Sequence, residues 1–327
     1  MRGGAGLTRD SGAAKIFFNQ KYIPLNGMQQ ATTGFIGLGH MGGAMARRLL
    51  AAGFPLVVHD LDGGAVQALV ALGARAAADA AQVAREAEAV FLCLPSVEAA
   101  RSVAAGLARG GALQVVVETS TVGPAAVRDM ARLLGERGIE AVDAPVSGGP
   151  RGAEAGTLSV MHSGAPAAVQ RVMPQLAAIA GKRFDVGAEP GLAQVCKLVN
   201  NAISAAGMVA ACEATVVGVK AGLDADTLLA AINAGSGRNA ATQDKFPRAI
   251  LPGTFDFGGP MGLMLKDLSL YLEQAAAAGV PQTVAPAALR AWQQAVEHSG
   301  FDADYSRVIC HLESGAGVAV RSNPPKD

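Results

Sequence analysis

The sequence predicts an α/β chain in which a doubly wound parallel sheet is followed by an all-α unit, and three observations lead there. Short apolar strand candidates alternate with Ala-rich helical stretches from Thr33 to about Asp185, the pattern of parallel strands covered by helices on both faces. Past Pro190-Gly191 the alternation stops, and residues 192–222 form one apolar, helix-compatible run without an internal proline. At 327 residues the chain exceeds the size at which a single core keeps growing, so two packed units are expected.

Taken in order, strands are expected at 33–38, 55–60, 89–94, 114–118, 139–144, 157–163 and 183–186, with helices such as 42–52 and 97–109 between them. Beyond the switch, helices are expected at 192–222, 225–234, 262–278 and 284–298. Turns are marked by Pro252-Gly253 and Gly258-Gly259-Pro260. The expected organisation is a tail over 1–31, a sheet unit over 32–190, a helical unit over 191–314 and a tail over 315–327. Residues 1–31 carry scattered Gly and basic residues without an apolar stretch long enough for a secretory signal. They read as disordered or as a miscalled start, with Met28 as the natural initiator, and the end from Gly315 reads as disordered too.

Composition narrows the function classes. Lys plus Arg equals Asp plus Glu at 27 each, with no run of like charge, so no electrostatic footprint for nucleic acid or an anionic membrane is present. No window reaches the roughly 18 uninterrupted apolar residues of a membrane span. The four cysteines, Cys93, Cys196, Cys212 and Cys310, lie far apart and form no C-x-x-C pair, which points to a reducing cytoplasm, buried thiols and no zinc site. The histidines lack a sequence partner for catalysis, and Met208 and Trp292 fall in apolar helical stretches as expected of core residues. A small molecule is the expected partner.

Gly37-Leu38-Gly39-His40-Met41-Gly42 is a G-x-G-x-x-G motif directly after an apolar strand and directly before a helix. In that context Gly37 permits the tight turn, Gly39 lets the backbone approach a pyrophosphate, and Gly42 allows close helix–strand packing. The helix N-terminus offers free N–H groups to the anion. Asp60 ends the second strand about 20 residues further on, where a carboxylate accepts from both adenosine ribose hydroxyls. Together these predict a Rossmann domain with NAD as cofactor. NADP is the lesser alternative, because a 2′-phosphate would meet Asp60 and Asp62 with no arginine in 59–64 to offset them.

Three further segments narrow the reaction. Asp143-Ala-Pro-Val-Ser147-Gly148-Gly149-Pro-Arg-Gly152-Ala-Glu-Ala-Gly156-Thr157 is a glycine-rich stretch whose N–H groups and Ser147 hydroxyl suit a carboxylate. Gly191-Leu-Ala-Gln-Val-Cys-Lys197-Leu-Val-Asn200-Asn201 opens the long helix and sets Lys197 and Asn201 at i and i+4, on one face, where both can converge on one oxygen. The third is Lys266-Asp267-Leu268. With the Gly39-x-Met41-Gly42 form of the loop, these segments resemble the β-hydroxyacid dehydrogenase family over about residues 33–313.

The resemblance implies that Ser147, Gly148, Gly149 and Asn201 bind substrate, that Lys197 is the acid/base, and that Lys266 lies near the nicotinamide with Asp267 orienting it. It assigns Leu94, Pro95 and Thr121, which sit after predicted strands, to cofactor contact. The implied activity is reversible oxidation of a small 3-hydroxy acid such as 3-hydroxyisobutyrate by a homo-oligomer without a metal. Two alternatives stand beside it. One is a reductase of tartronate semialdehyde, an imine or a sugar acid on the same fold, and the other is a non-catalytic dinucleotide-binding module. Gly237-Arg238-Asn239 is expected near the substrate pocket.

Overall fold

The structure is a computed structural model that describes residues 16–18 and 31–323. Its sheet half runs β1 (Ile16–Phe18), β2 (Thr33–Ile36), α1 (His40–Ala51), β3 (Leu56–His59), α2 (Gly63–Val70), β4 (Arg75–Ala76), α3 (Ala80–Glu86) and β5 (Ala89–Leu92). It continues through α4 (Val97–Leu107), β6 (Val115–Glu118), α5 (Pro124–Gly135), β7 (Glu140–Asp143), β8 (Val146–Ser147), α6 (Gly149–Ala155), β9 (Leu158–Ser163), α7 (Pro166–Ile179) and β10 (Ala180–Gly187).

Six strands pair in parallel in the order β4-β3-β2-β5-β6-β7. The order reverses between β2 and β5, the crevice where doubly wound sheets bind ligands. The central strands β2, β3, β5 and β6 are short, rich in β-branched or aromatic residues, and buried on both sides. Phe35, Val58, Phe91 and Val117 enter one core with α1 and α7, while Ile36, Val57, Val90 and Val116 enter a second with α3, α4 and α5. That double burial is why these strands read as continuous apolar runs.

The expected doubly wound parallel sheet is present, and at its far side it carries an antiparallel junction. β9 meets β7 antiparallel, paired only at Asp143 and Ser163, and β10 runs parallel to β9. The chain between β7 and β9 makes the short β8 and α6, and α6 packs on α1 instead of crossing the sheet. A correction concerns the expected disordered start, where β1 adds to β10 as an antiparallel edge strand with Phe17 opposite Arg183. The Ile-Phe-Phe triplet has the high β propensity that an edge accepts. Residues 1–15 and 19–30, Met28 among them, lie outside the described residues.

The helical half comprises α8 (Leu192–Lys220), α9 (Ala225–Ala234), a π-helix (Ala241–Ile250), α10 (Met261–Ala277), α11 (Val284–Ser299), a 3₁₀ turn (Tyr305–Ile309) and α12 (Cys310–Ala316). By length and composition α8 could cross a membrane. Its inward face nevertheless forms the core of this unit: Ala205, Met208, Cys212 and Val216 pack with Phe246, Leu268 and Trp292. The Trp292 indole N–H donates to the Ala205 carbonyl at 3.3 Å. The expected disorder from Gly315 is also corrected, through residue 323. Val320 is buried, and its N–H donates to Glu313 Oε1 at 2.8 Å. Arg321 grips both Glu313 oxygens at 2.7 and 3.0 Å, a bidentate pair eight residues apart that no local pattern announces.

One buried polar group gives the sheet unit a pH signature. His162 on β9 is buried, both ring nitrogens lack a hydrogen-bond partner, and burial holds its pKa below the ordinary histidine value. The unfolded chain therefore takes up this proton first, so the contribution is complete above the unfolded pKa near 6.5 and declines as pH falls through it. Buried acids of raised pKa act in the opposite sense, so the comparison must be made against a variant. Urea unfolding at pH 7.5 and 5.5 should show His162→Leu losing less stability on acidification than the unsubstituted chain; equal losses would mean the imidazole titrates alike in the folded and unfolded states.

Candidate active site

The β2–α1 loop is built as a phosphate cradle. Gly37 has φ +91°, and a side chain there would lie 2.2 Å from the Cys93 carbonyl and 3.1 Å from Leu94 Cδ2. A Cβ on Gly42 would meet the Gly37 carbonyl at 1.9 Å, so both positions require glycine. Gly39 differs: nothing lies within 4 Å of where its Cβ would be. It is also the N-cap of α1, makes no side-chain capping bond, and is followed by a first turn without an acid. The result is an open helix N-terminus fit to receive an anion. His40 is exposed at the start of α1, and Met41 packs partly on the core beneath.

Asp60 sits beside this loop as expected and has a second task that the spacing did not reveal. One oxygen accepts the Leu38 N–H and the other accepts the Asp62 N–H at 2.8 Å. The carboxylate therefore fixes the loop. Across the crevice, the Leu94 N–H donates to Ser120 Oγ at 2.7 Å, tying the β5–α4 and β6–α5 loops together, and Pro95 lies exposed beyond. Cys93 is a protonated, inert thiol: burial, with Glu118 adding, pushes its pKa up to about 12.

Lys197 and Asn201 share the inward face of α8, and α10 delivers Lys266 and Asp267 against them. Lys197 is 8% exposed. Burial lowers its pKa, with Lys266 assisting and Asp267 and Cys196 opposing. Asn201 Nδ2 donates to Asp267 Oδ2 at 2.6 Å, and Lys266 Nζ pairs with Asp267 Oδ1 at 3.1 Å while also donating to the Thr121 carbonyl. Asp267 thus orients Lys266, as the sequence suggested, and Asn201 as well. Ser147 pairs with Ser159 across β8 and β9, and Gly148 caps α6 with φ +131°. Among the described residues no hydrogen bond joins this segment to Lys197.

Sequence reasoning missed the residue that holds the halves together. Gln194 is buried at the first turn of α8, where Oε1 accepts the Val122 and Gly123 N–H groups, both at 2.9 Å. Its Nε2 donates to the Ser120 carbonyl at 3.0 Å and to Asp143 Oδ1 at 2.8 Å. Asp143 in turn caps α8, whose own N-cap is a glycine, by accepting the Gly191 and Gln194 N–H groups at 3.2 and 2.9 Å. Ser163 Oγ accepts the Ala193 N–H at 3.1 Å. A signal was available: Gln194, Lys197 and Asn201 recur at i, i+3 and i+7. Burial raises the Asp143 pKa to about 6 against the opposing Gln194 bonds, and raises that of the neighbouring Glu118 to about 8. Asn239 stands at the start of the π-helix, its Oδ1 accepting the Ala241 N–H at 2.7 Å and its Nδ2 donating to the Gly207 carbonyl of α8 at 3.4 Å.

Comparison with known proteins follows from this geometry. Residues 32–187 match a family model described as the NAD binding domain of 6-phosphogluconate dehydrogenase. Residues 191–312 match one described as the NAD-binding of NADP-dependent 3-hydroxyisobutyrate dehydrogenase. A 2-(hydroxymethyl)glutarate dehydrogenase of Eubacterium barkeri is 37% identical over 88% of this chain and 96% of its own. The chain belongs to the β-hydroxyacid dehydrogenase family. An NAD-dependent L-serine dehydrogenase of Pseudomonas aeruginosa is 36% identical over 84% of this chain and 95% of its own. The solved Mycobacterium tuberculosis 3-hydroxyisobutyrate dehydrogenase with L-serine superposes with TM-score 0.80 at 30% identity, covering 87% of this chain and 99% of that one. The β-hydroxyacid dehydrogenase fold, with its dinucleotide-binding sheet and helical second unit, is therefore the fold of this chain, and the chain is an oxidoreductase acting on hydroxyl groups.

Proposed function

We propose that this chain is an NAD-preferring dehydrogenase of a small 3-hydroxy acid, with Lys197 as its acid/base. The observation that carries the reading is the buried, pKa-lowered Lys197 amine, set on α8, whose first turn is bonded to the loop after β6 and to Asp143 at the end of β7. A lysine so tuned accepts a proton nearer neutral pH than a solvated one. When bound, the dinucleotide would supply the hydride acceptor, with Gly37–Gly42 as the residues that would hold its pyrophosphate and Asp60 its adenosine ribose. In oxidation Lys197 takes the proton from the substrate hydroxyl oxygen, and in reduction its ammonium returns the proton to the carbonyl oxygen. Asn201 holds that oxygen in register, and Ser147, Gly148 and Gly149 hold the carboxylate. Leu94, Pro95 and Thr121 line the cofactor cleft, and Lys266, fixed by Asp267 and Thr121, supports the nicotinamide end.

Four free cysteines favour a reducing cytoplasm, and the family favours a homo-oligomer. The units are taken as residues 32–190 and 191–314. NADH formation should be followed with 3-hydroxyisobutyrate, L-serine, glycerate, threonate, 3-hydroxypropionate and 2-(hydroxymethyl)glutarate. Oxidation of none of them would defeat the reading. NAD should exceed NADP at least roughly tenfold in kcat/KM, because Asp60 faces the position of a 2′-phosphate. Asp60→Ser should narrow that gap mainly by improving NADP, and equal efficiencies in the unsubstituted chain would remove Asp60 as the selector.

A further inference from the structure

Lys245 is a buried cation without an acid. It projects from the π-helix, is 7% exposed, and among the described residues no carboxylate lies within ion-pair distance of it. Its neighbour in sequence, Asp244, is engaged by Arg248 at 2.9 Å. Among the described residues the Lys245 ammonium donates to Ser204 Oγ at 3.3 Å and stands over the face of the Tyr305 ring, 5.7 Å from its centroid. One hydroxyl and a ring at that range offset only part of the cost of taking an ammonium out of water. Burial accordingly pulls its pKa down, with Asp244 and Cys212 opposing.

The place of this cation gives it a meaning. Ser204 follows Lys197 by two turns and Asn201 by one, so the three lie on the same face of α8. The α-carbons of Lys197 and Ser204 are about 10 Å apart along the axis. Helical side chains lean toward the N-terminus, which for Ser204 is toward Asn201. The segment that carries Lys245 is π-helical over Ala241–Ile250 and contains Pro247, an irregularity that occurs frequently at functional sites.

We propose that Lys245 binds a second anionic group of the substrate, so that the physiological 3-hydroxy acid is a dicarboxylate whose far carboxylate meets Lys245 while its hydroxyl carbon sits at Lys197. This rests on the reading of the Lys197 face as the substrate site. The ligand then completes the pairing that the protein leaves open, and a charge-assisted bond to a buried ammonium discriminates strongly against substrates that lack the partner.

The test uses two acids differing only in that carboxylate, 3-hydroxyisobutyrate and 2-(hydroxymethyl)succinate. Their affinities for the NAD-loaded full chain are measured by calorimetry, and turnover is measured in parallel. The diacid should bind at least roughly tenfold more tightly than the monoacid. Lys245→Met should abolish that preference while leaving monoacid affinity within about threefold, and Lys245→Arg should retain most of it. Equal affinities in the unsubstituted chain, or an equal effect of Lys245→Met on both acids, would overturn the proposal, and the first criterion decides even if Lys245→Met fails to fold. A Lys245-dependent diacid preference in binding without turnover of any acid would support this site and defeat the dehydrogenase reading. Normal turnover of the monoacid with binding indifferent to Lys245 would do the reverse.

Discussion

Replacing Lys197 with methionine is expected to lower turnover by roughly 10² to 10⁴, the usual contribution of a positioned general acid/base. Methionine keeps the length and helix propensity of lysine while deleting the charge. It also removes an ammonium whose desolvation the fold must offset, so stability should hold or rise. Cofactor affinity should change little, because the glycine cradle and Asp60 lie on other elements. The pH profile separates this role from a structural one. In the oxidation direction the reactive form is the neutral amine, and since burial lowers the Lys197 pKa, turnover should rise with pH through an ionisation below the ordinary lysine value. The methionine variant should lose that limb. A variant that oxidises its best acid within about threefold of the unsubstituted chain, with the limb intact, would exclude Lys197 and turn attention to Lys266.

How much of this could be read in advance differs by kind of feature. The parallel strands and the α8 helix were legible because their signals are local: runs such as Val115–Glu118 and the proline-free stretch after Gly191 carry their own periodicity. The cradle was legible because Gly37 and Gly42 answer to steric demands at fixed spacing. Long-range pairings were not. Arg321 with Glu313, the edge strand β1 on β10, and the cap that Asp143 supplies to α8 across 51 residues depend on the finished fold. Lys245 escaped for the same reason, since nothing near it in sequence says that its charge is buried beside Ser204. Lys197 and Lys266 were assigned by resemblance to a family. The structure adds that Lys197 is buried with a lowered pKa, and that Lys266 is held by Asp267 and the Thr121 carbonyl.

The joint between the halves should be the most fragile polar point of the chain. Gln194→Leu keeps a side chain of similar volume but leaves the Val122 and Gly123 N–H groups, the Ser120 carbonyl and Asp143 Oδ1 without their partner in a buried place. Each orphaned buried group costs about 1–3 kcal/mol, so even with partial relaxation the loss should reach about 3 kcal/mol, read as a fall in urea midpoint at unchanged slope. Turnover should fall with it, because the same bonds position the loop whose Thr121 carbonyl holds Lys266. Gln194→Glu adds a directional check. Its carboxylate can still accept from Val122 and Gly123, but when ionised it has nothing to donate and faces Asp143. Burial and that like charge would raise the new pKa in the folded state, so the folded chain holds the proton more tightly, and stability is lost as pH rises. The Glu variant should therefore be distinctly more stable, relative to the unsubstituted chain, at pH 6 than at pH 8. A Gln194→Leu chain within about 1 kcal/mol of the unsubstituted one would mean that the orphaned groups find other partners and that the joint is held by apolar packing alone.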